Sequence, residues 1–185
     1  MLVFFLGIGI IVLLITSAIL IKRNDHYHYE TYSKYSLSRL ASHKSTRKLA
    51  ILLFLSTSVF ESFFLIELSK YLYFDNNTVV VSVLVILSLP FIAITAKWYN
   101  SFLHLFTAFL YYFMHLLLFL IISDKFLAIA ANISLVLKIV LILGMIVTLA
   151  KVLRKPYKIS GNEEILSMIP IGISIFIISI FMLTL

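Results

Sequence analysis

Apolar residues fill six long runs of this chain, and polar residues collect between them. The runs extend from Leu2 to Ile21, Leu49 to Phe74, Val79 to Ala96, Trp98 to Ser123, Phe126 to Ala150 and Ile165 to Leu185. Each approaches or exceeds the roughly 20 residues that carry an α-helix across the hydrocarbon of a bilayer. The pattern therefore predicts an all-α fold, a polytopic bundle of six transmembrane spans forming one domain over residues 1–185. The connections after the second, third and fourth runs are Asp75 to Thr78, Lys97, and Asp124 with Lys125. They are short enough that successive helices pack as antiparallel hairpins. Pro90 and Pro170 fall inside the third and sixth runs, where a missing backbone donor favours a kink. Gly7, Gly9, Gly144 and Gly172 permit close helix approach, although no GxxxG pair occurs.

The polar positions orient the bundle. One sizeable polar stretch, Lys22 to Lys48, holds seven of the 15 Lys and Arg residues: Lys22, Arg23, Lys34, Arg39, Lys44, Arg47 and Lys48. Short loops rich in cations resist translocation. Adding Lys97 after the third run and Lys151, Arg154, Lys155 and Lys158 after the fifth gives twelve cations on one side. Lys70 and Lys125 lie on the other, and Lys138 within a run. This bias predicts a cytoplasmic basic loop, both termini outside, and an uncleaved first span, since no positive segment precedes Leu2. Within the loop, Tyr29, Tyr32, Leu40 and the cations fit a helix lying at the membrane interface, its lysines on anionic head groups. Asn76-Asn77-Thr78 has the form of a glycosylation triplet but sits close to the membrane. The expected location is the plasma membrane of a prokaryote.

Composition narrows the class. The chain is 62% apolar, above the roughly half expected of a soluble domain, and its mean hydropathy is +1.11. No segment outside the six runs is long enough to bury a core of its own. The net charge of +7 is concentrated on one side, so it speaks to topology and anionic lipid and not to nucleic acid. Cysteine is absent, which excludes disulfides, thiolate metal sites and a thiol nucleophile.

Ionisable groups inside a bilayer are costly, so Glu61, Glu67, His104, His115 and Lys138 are the candidates for function. Glu61 lies twelve residues after Leu49 and Lys138 twelve after Phe126, each about 18 Å along its helix and near the midplane at 1.5 Å per residue. They are the expected ion pair of the bundle. Glu67, His115 and Asn132 fall six to eight residues from the outer ends and form an expected second polar layer, while His104 lies in the inner half of the fourth span. Ser58, Ser62 and Ser69 follow helical spacing around Glu61 and turn that stripe toward neighbouring helices. Mutual neutralisation of Glu61 and Lys138, specifying which helices pack together, is the preferred use of these groups. A proton or ion path and a docking site for another subunit's charge are the alternatives.

His104 and His115 share nearly one helix face, a spacing that suits paired haem ligation, but His26, His28 and His43 all lie in the inner loop and no other span supplies an opposing histidine. Asp25-His26-Tyr27-His28-Tyr29-Glu30 has ligand types for zinc or copper without a second cluster. No metal and no cofactor are expected. Nor is an enzyme: no aspartate lies in a run, and neither HExxH nor GxSxG occurs. Glu163-Glu164 has the paired glutamates of intramembrane CAAX-type proteases, but Met168 stands where the expected cation would follow. These acids suit the positive end of a helix dipole, with Ser160 or Asn162 as cap.

Tyr35-Ser36-Leu37-Ser38-Arg39-Leu40, the stretch from His104 to Phe113 (HLFTAFLYYF) and Gly161-Asn162-Glu163-Glu164-Ile165 together resemble DRAM-like six-span membrane proteins and their uncharacterised prokaryotic relatives. The resemblance implies a non-catalytic membrane protein. It departs in one respect, because members of that family keep their termini in the cytoplasm and the cation count here places both outside. The function expected from the sequence is a non-enzymatic accessory or scaffolding subunit of a membrane complex, partnered by lipid and by other subunits or itself. The alternatives are a small proton- or ion-coupled carrier using Glu61 and Lys138, and a respiratory-chain subunit contacting quinone or haem through the fourth span.

Overall fold

Backbone groups in hydrocarbon have no water to bond, so an apolar run crossing it must close its hydrogen bonds within itself, as a helix does. The computed structural model of the protein describes residues 1–25, 41, 46–95, 102–154 and 161–184. Among them the structure is all-helical: α1 (Leu2–Asp25), α2 (Arg47–Leu72), α3 (Asn76–Thr95), α4 (Phe102–Leu127), α5 (Ala131–Arg154) and α6 (Gly161–Thr184). Five of the six are long and apolar enough to cross a membrane, and α5 contains a shorter apolar stretch, Ala131–Val147. The protein is a multi-pass integral membrane protein.

Each helix packs on the next in sequence, and α6 returns to α1, so the six form a closed ring. Smaller contacts of α4 with α6 and α2 cross the interior. Outward faces are apolar along their length, as in Leu52, Leu55, Val59, Phe63 and Ile66 of α2, all 44% exposed or more. So broad an apolar belt suits lipid and not water.

Two connections are tight, and both lie at one end of the bundle. At the first, Tyr73 ends α2 in the left-handed region (φ 47°), its N–H bonding the Ser69 carbonyl at 3.0 Å. Asp75 then caps α3: its Oδ1 accepts the Thr78 backbone N–H at 2.8 Å and the Thr78 hydroxyl at 2.7 Å. The triplet Asn76-Asn77-Thr78 is thus the first turn of α3 and not part of the connection. At the second, Ile129 and Ala130 donate to the Phe126 carbonyl, at 3.0 and 2.7 Å.

That second turn corrects the sequence reading. Asp124 and Lys125 were expected to form the connection, yet both lie in the last turn of α4, which continues to Leu127. Their charges are met sideways. Lys125 Nζ donates to Asp75 Oδ2 at 3.1 Å, and Asp124 Oδ1 accepts from Lys138 Nζ of α5 at 2.5 Å. Lys70 pairs with Glu67. Each described lysine at this turn end therefore faces a carboxylate, whereas the twelve remaining cations belong, by sequence, to the connections and helix ends opposite. Lys34, Arg39 and Lys44 of the basic loop, and with them the expected interfacial helix, lie outside the described residues, as do the side chains of Lys22 and Arg23 at the end of α1. Arg47 and Lys48 begin α2.

Helix approach is closest at glycines. A Cβ on Gly144 of α5 would stand 2.6 Å from two ring carbons of Pro170 in α6, and one on Gly7 of α1 would stand 1.9 Å from Ser179 Oγ in α6. A proline ring cannot turn aside, so α5 and α6 would have to separate. Gly144→Ala is expected to lower unfolding stability in detergent by about 1–3 kcal/mol, the usual penalty of overpacking. An unchanged unfolding midpoint would show that the contact is soft.

The Asp75 cap is pH-sensitive. The Thr78 backbone N–H, then its hydroxyl and Lys125, hold the Asp75 carboxyl well below its usual value, at about 2. A depressed carboxylate stabilises the fold above its unfolded pKa of about 3.9, and that stabilisation is lost as the pH falls through the folded value. The gap in unfolding midpoint between wild type and Asp75→Asn, which keeps the acceptor and removes the charge, should be constant above about pH 4. It should shrink as the pH approaches 2, and a gap independent of pH would count against the ionised cap.

Candidate functional site

Glu61 occupies the middle of α2, fourteen residues after Arg47 and eleven before Leu72. Helical spacing places Thr57, Ser58 and Glu61 on the face that α2 turns inward, and all three are buried. His115 occupies the middle of α4, thirteen residues after Phe102 and twelve before Leu127. The two groups meet. His115 Nε2 lies 3.1 Å from Glu61 Oε1, with each residue 2% exposed. Tyr111, one turn before His115, donates its hydroxyl to the same oxygen at 3.1 Å. The Tyr111 and Phe119 rings lie on either side of His115 in sequence, with ring centroids 4.2 and 6.1 Å from it.

Hydrogen-bond roles fix what this cluster holds. His115 Nδ1 lies 3.1 Å from the Tyr111 carbonyl oxygen, which only accepts, so Nδ1 carries a proton. One further proton must then lie between Nε2 and Oε1. It belongs either to an imidazolium facing a carboxylate or to a carboxylic acid facing a neutral imidazole, and the pair is neutral both ways. Glu61 Oε2 has no hydrogen-bond partner among the described residues. The cluster is thus a buried, partly satisfied proton-sharing pair.

These contacts correct two expectations. Glu61 does not pair with Lys138, and Glu67, His115 and Asn132 do not form a layer. Both errors follow from the misplaced α4–α5 turn. With α4 extended to Leu127, His115 moves from the outer third to the helix centre. With α5 starting at Ala131, Lys138 moves from the centre to the second turn, and its long side chain reaches the Asp124 carboxylate near the surface. Glu67 faces Lys70, and Asn132 is exposed in the first turn of α5. His104 is buried near the start of α4, its Nδ1 3.0 Å from Thr95 Oγ1 of α3. The two histidines on one face of α4 therefore engage different helices, α3 and α2.

Tyr111 was missed by the sequence reading, although a tyrosine inside an apolar run needs a partner for its hydroxyl, and its place one turn before His115 was visible. Ser58 was read only as part of a stripe. Its hydroxyl donates to the Ile86 carbonyl of α3 at 3.0 Å, while Ser62 and Ser69 bond carbonyls of their own helix. Among the described residues no three His, Asp or Glu side chains gather to hold a metal ion. His26 and His28 lie outside them.

Beside the cluster is a narrow cavity lined from five helices, including Ser17 of α1, Thr57 of α2, Ile92 of α3, Tyr111 of α4 and Met168 of α6. Its volume of about 20 Å³ accommodates about one water, for which roughly 10–15 Å³ is needed. The wall carries hydroxyls and no charge. Such a space has room for a water and, closed, is too small for an organic solute.

The interdependence of the pair can be measured. His115→Leu leaves a buried carboxyl without its partner, which should cost about 3–5 kcal/mol. Adding Glu61→Leu should recover part of that loss, giving a coupling of about 1–3 kcal/mol in a double-mutant cycle of detergent unfolding. Additive single effects would mean that the contact contributes nothing as a pair.

Comparisons with known protein families, with curated proteins and with solved structures find no match for this chain.

Proposed function

We propose that the protein is a non-enzymatic membrane proton carrier of six spans, with Glu61 as its proton-binding group, His115 as the partner that exchanges the proton, and Tyr111 as the residue that positions the carboxyl. The observation that carries this is the state of Glu61. It sits at mid-bundle, held by a histidine and a tyrosine, with one oxygen unpartnered. Intramembrane carboxylates so placed are typical of proton relays. The sequence pairs Glu61 with the fixed cation Lys138 in the accessory and the carrier readings alike, and with a histidine in that place proton exchange is the better use of the site.

Six spans are supported by α5 itself. It packs on α4 and α6, both long enough to span, and its exposed face is apolar from Leu135 to Leu149. An even number of spans puts both termini on one side. The twelve cations assigned to the basic end, against three lysines paired with acids at the other, favour a cytoplasmic basic end in a prokaryotic plasma membrane. The DRAM-like resemblance adds the span layout to this proposal and no mechanism.

The test is proton flux in liposomes enclosing a pH-sensitive dye, driven by a potassium diffusion potential. Wild type should acidify the lumen well above protein-free vesicles. Glu61→Gln, which keeps shape and removes the exchangeable proton, should lower the rate by about tenfold or more while the protein still unfolds as a cooperative unit. Wild-type flux no greater than the lipid leak, or a Glu61→Gln variant as active as wild type, would return the protein to the accessory-subunit class.

A further inference from the structure

Pro90 has no N–H, so the carbonyl four residues before it, that of Ile86, lacks its donor within α3. Ser58 of α2 supplies the missing bond at 3.0 Å, one turn from Glu61. Beyond this missing bond the described part of α3 runs to Thr95, and that segment contributes Ile92 to the cavity wall. Its far end is fastened to α4. The Thr95 hydroxyl donates to the Phe91 carbonyl at 2.8 Å, which leaves its oxygen to accept from His104 Nδ1 at 3.0 Å.

The cavity is one-sided. Ser17 lies near the C-terminal end of α1, Thr57 in the first half of α2, Ile92 in the last turn of α3, Tyr111 in the first half of α4 and Met168 in the first half of α6. All of these positions belong to the basic half of the bundle. Toward the turn end, Phe64 and Leu68 of α2 and Leu116, Phe119, Ile122 and Phe126 of α4 are buried side by side with the core. That end is also tied by Lys125 to Asp75 and by Lys138 to Asp124. Tyr111 belongs to both regions, lining the cavity and donating to Glu61.

We propose that Glu61 is reached from the basic side alone, through the Tyr111-lined cavity, and that the α3 segment Pro90–Thr95 is the gate of that cavity, hinged at Pro90 and latched by Thr95 on His104. The use of this path for protons rests on the proposed role of Glu61, but the path itself is tested without transport.

The chain has no cysteine, so a single introduced thiol reports water access without background. Thr57→Cys places one on the cavity wall, and Lys48→Cys, exposed at the start of α2, marks the basic face. The probe is a membrane-impermeant charged methanethiosulfonate, which the closed cavity excludes and which reaches its wall only when the α3 segment moves aside, applied to sealed vesicles of each orientation. Thr57→Cys should react only from the face that labels Lys48→Cys. Removing the latch with Thr95→Val should raise its rate by about tenfold, and Pro90→Ala, which restores the donor to Ile86, should lower it. Labelling from the opposite face, rates indifferent to both substitutions, or no labelling in any variant would overturn the proposal. Because the two substitutions act in opposite directions, a misfolded Thr95→Val cannot decide the outcome alone. Sided, gated labelling in a protein without proton flux would keep the gate and remove the proton role. Flux that depends on Glu61 with ungated labelling would do the reverse.

Discussion

A carboxyl group at the centre of six apolar helices must find partners inside the protein, because neither lipid nor packed hydrocarbon side chains offer any. Glu61 finds them on α4, which is not its neighbour in the ring. The bonds to Tyr111 and His115 run across the bundle interior, between helices that otherwise touch little. A closed ring of six helices has no intrinsic reason to draw α2 and α4 together, and this contact gives one. It also fixes the rotation of α4, since a shift of one residue turns the helix by about 100° and would carry Tyr111 and His115 away from α2 together. The interior packing of α4 therefore depends on a polar contact, and the apolar residues around it fill the space that contact defines.

Charge follows a second rule at the ends. At the turn end each lysine meets an acid, so the short connections emerge without net charge. By sequence the twelve other cations and four acids, a net charge of +8, belong to the other half, the half in which the cavity lies. Ion pairs exposed at a surface add little stability. Here they join the two tight turns to neighbouring helices, so the turn end holds together as a unit while the basic end has the longer connections.

Much of this was legible in the sequence. Apolar runs gave the helices, because length and hydropathy are local properties of the chain, and Pro90 marked where α3 lacks a backbone donor. The pairings were not legible. A single sequence gives heights along each helix but not which helices face one another, and even the heights depend on where turns are placed. Reading Asp124 and Lys125 as a turn, on the sound ground that charges leave hydrocarbon, shifted two helices by about one turn. That single shift put His115 in the outer layer and Lys138 beside Glu61. The physical point missed is that a lysine and an acid on adjacent helices can stay helical near the surface by pairing sideways. Likewise Pro90 showed that the Ile86 carbonyl would need a donor, but nothing local named Ser58.

The donor set around Glu61 bears on what it can bind. A bound metal cation needs several oxygens directed at it, six or more for the larger ions. Oε1 instead accepts from the Tyr111 hydroxyl, which presents hydrogen where a cation would need a lone pair, and faces His115 across a single proton. A fixed ammonium group beside the carboxylate would have held it ionised. An imidazole whose other nitrogen is committed to the Tyr111 carbonyl instead leaves a single proton to lie between Nε2 and Oε1. In the proposed role, moving that proton between the two would require neither side chain to leave the pair.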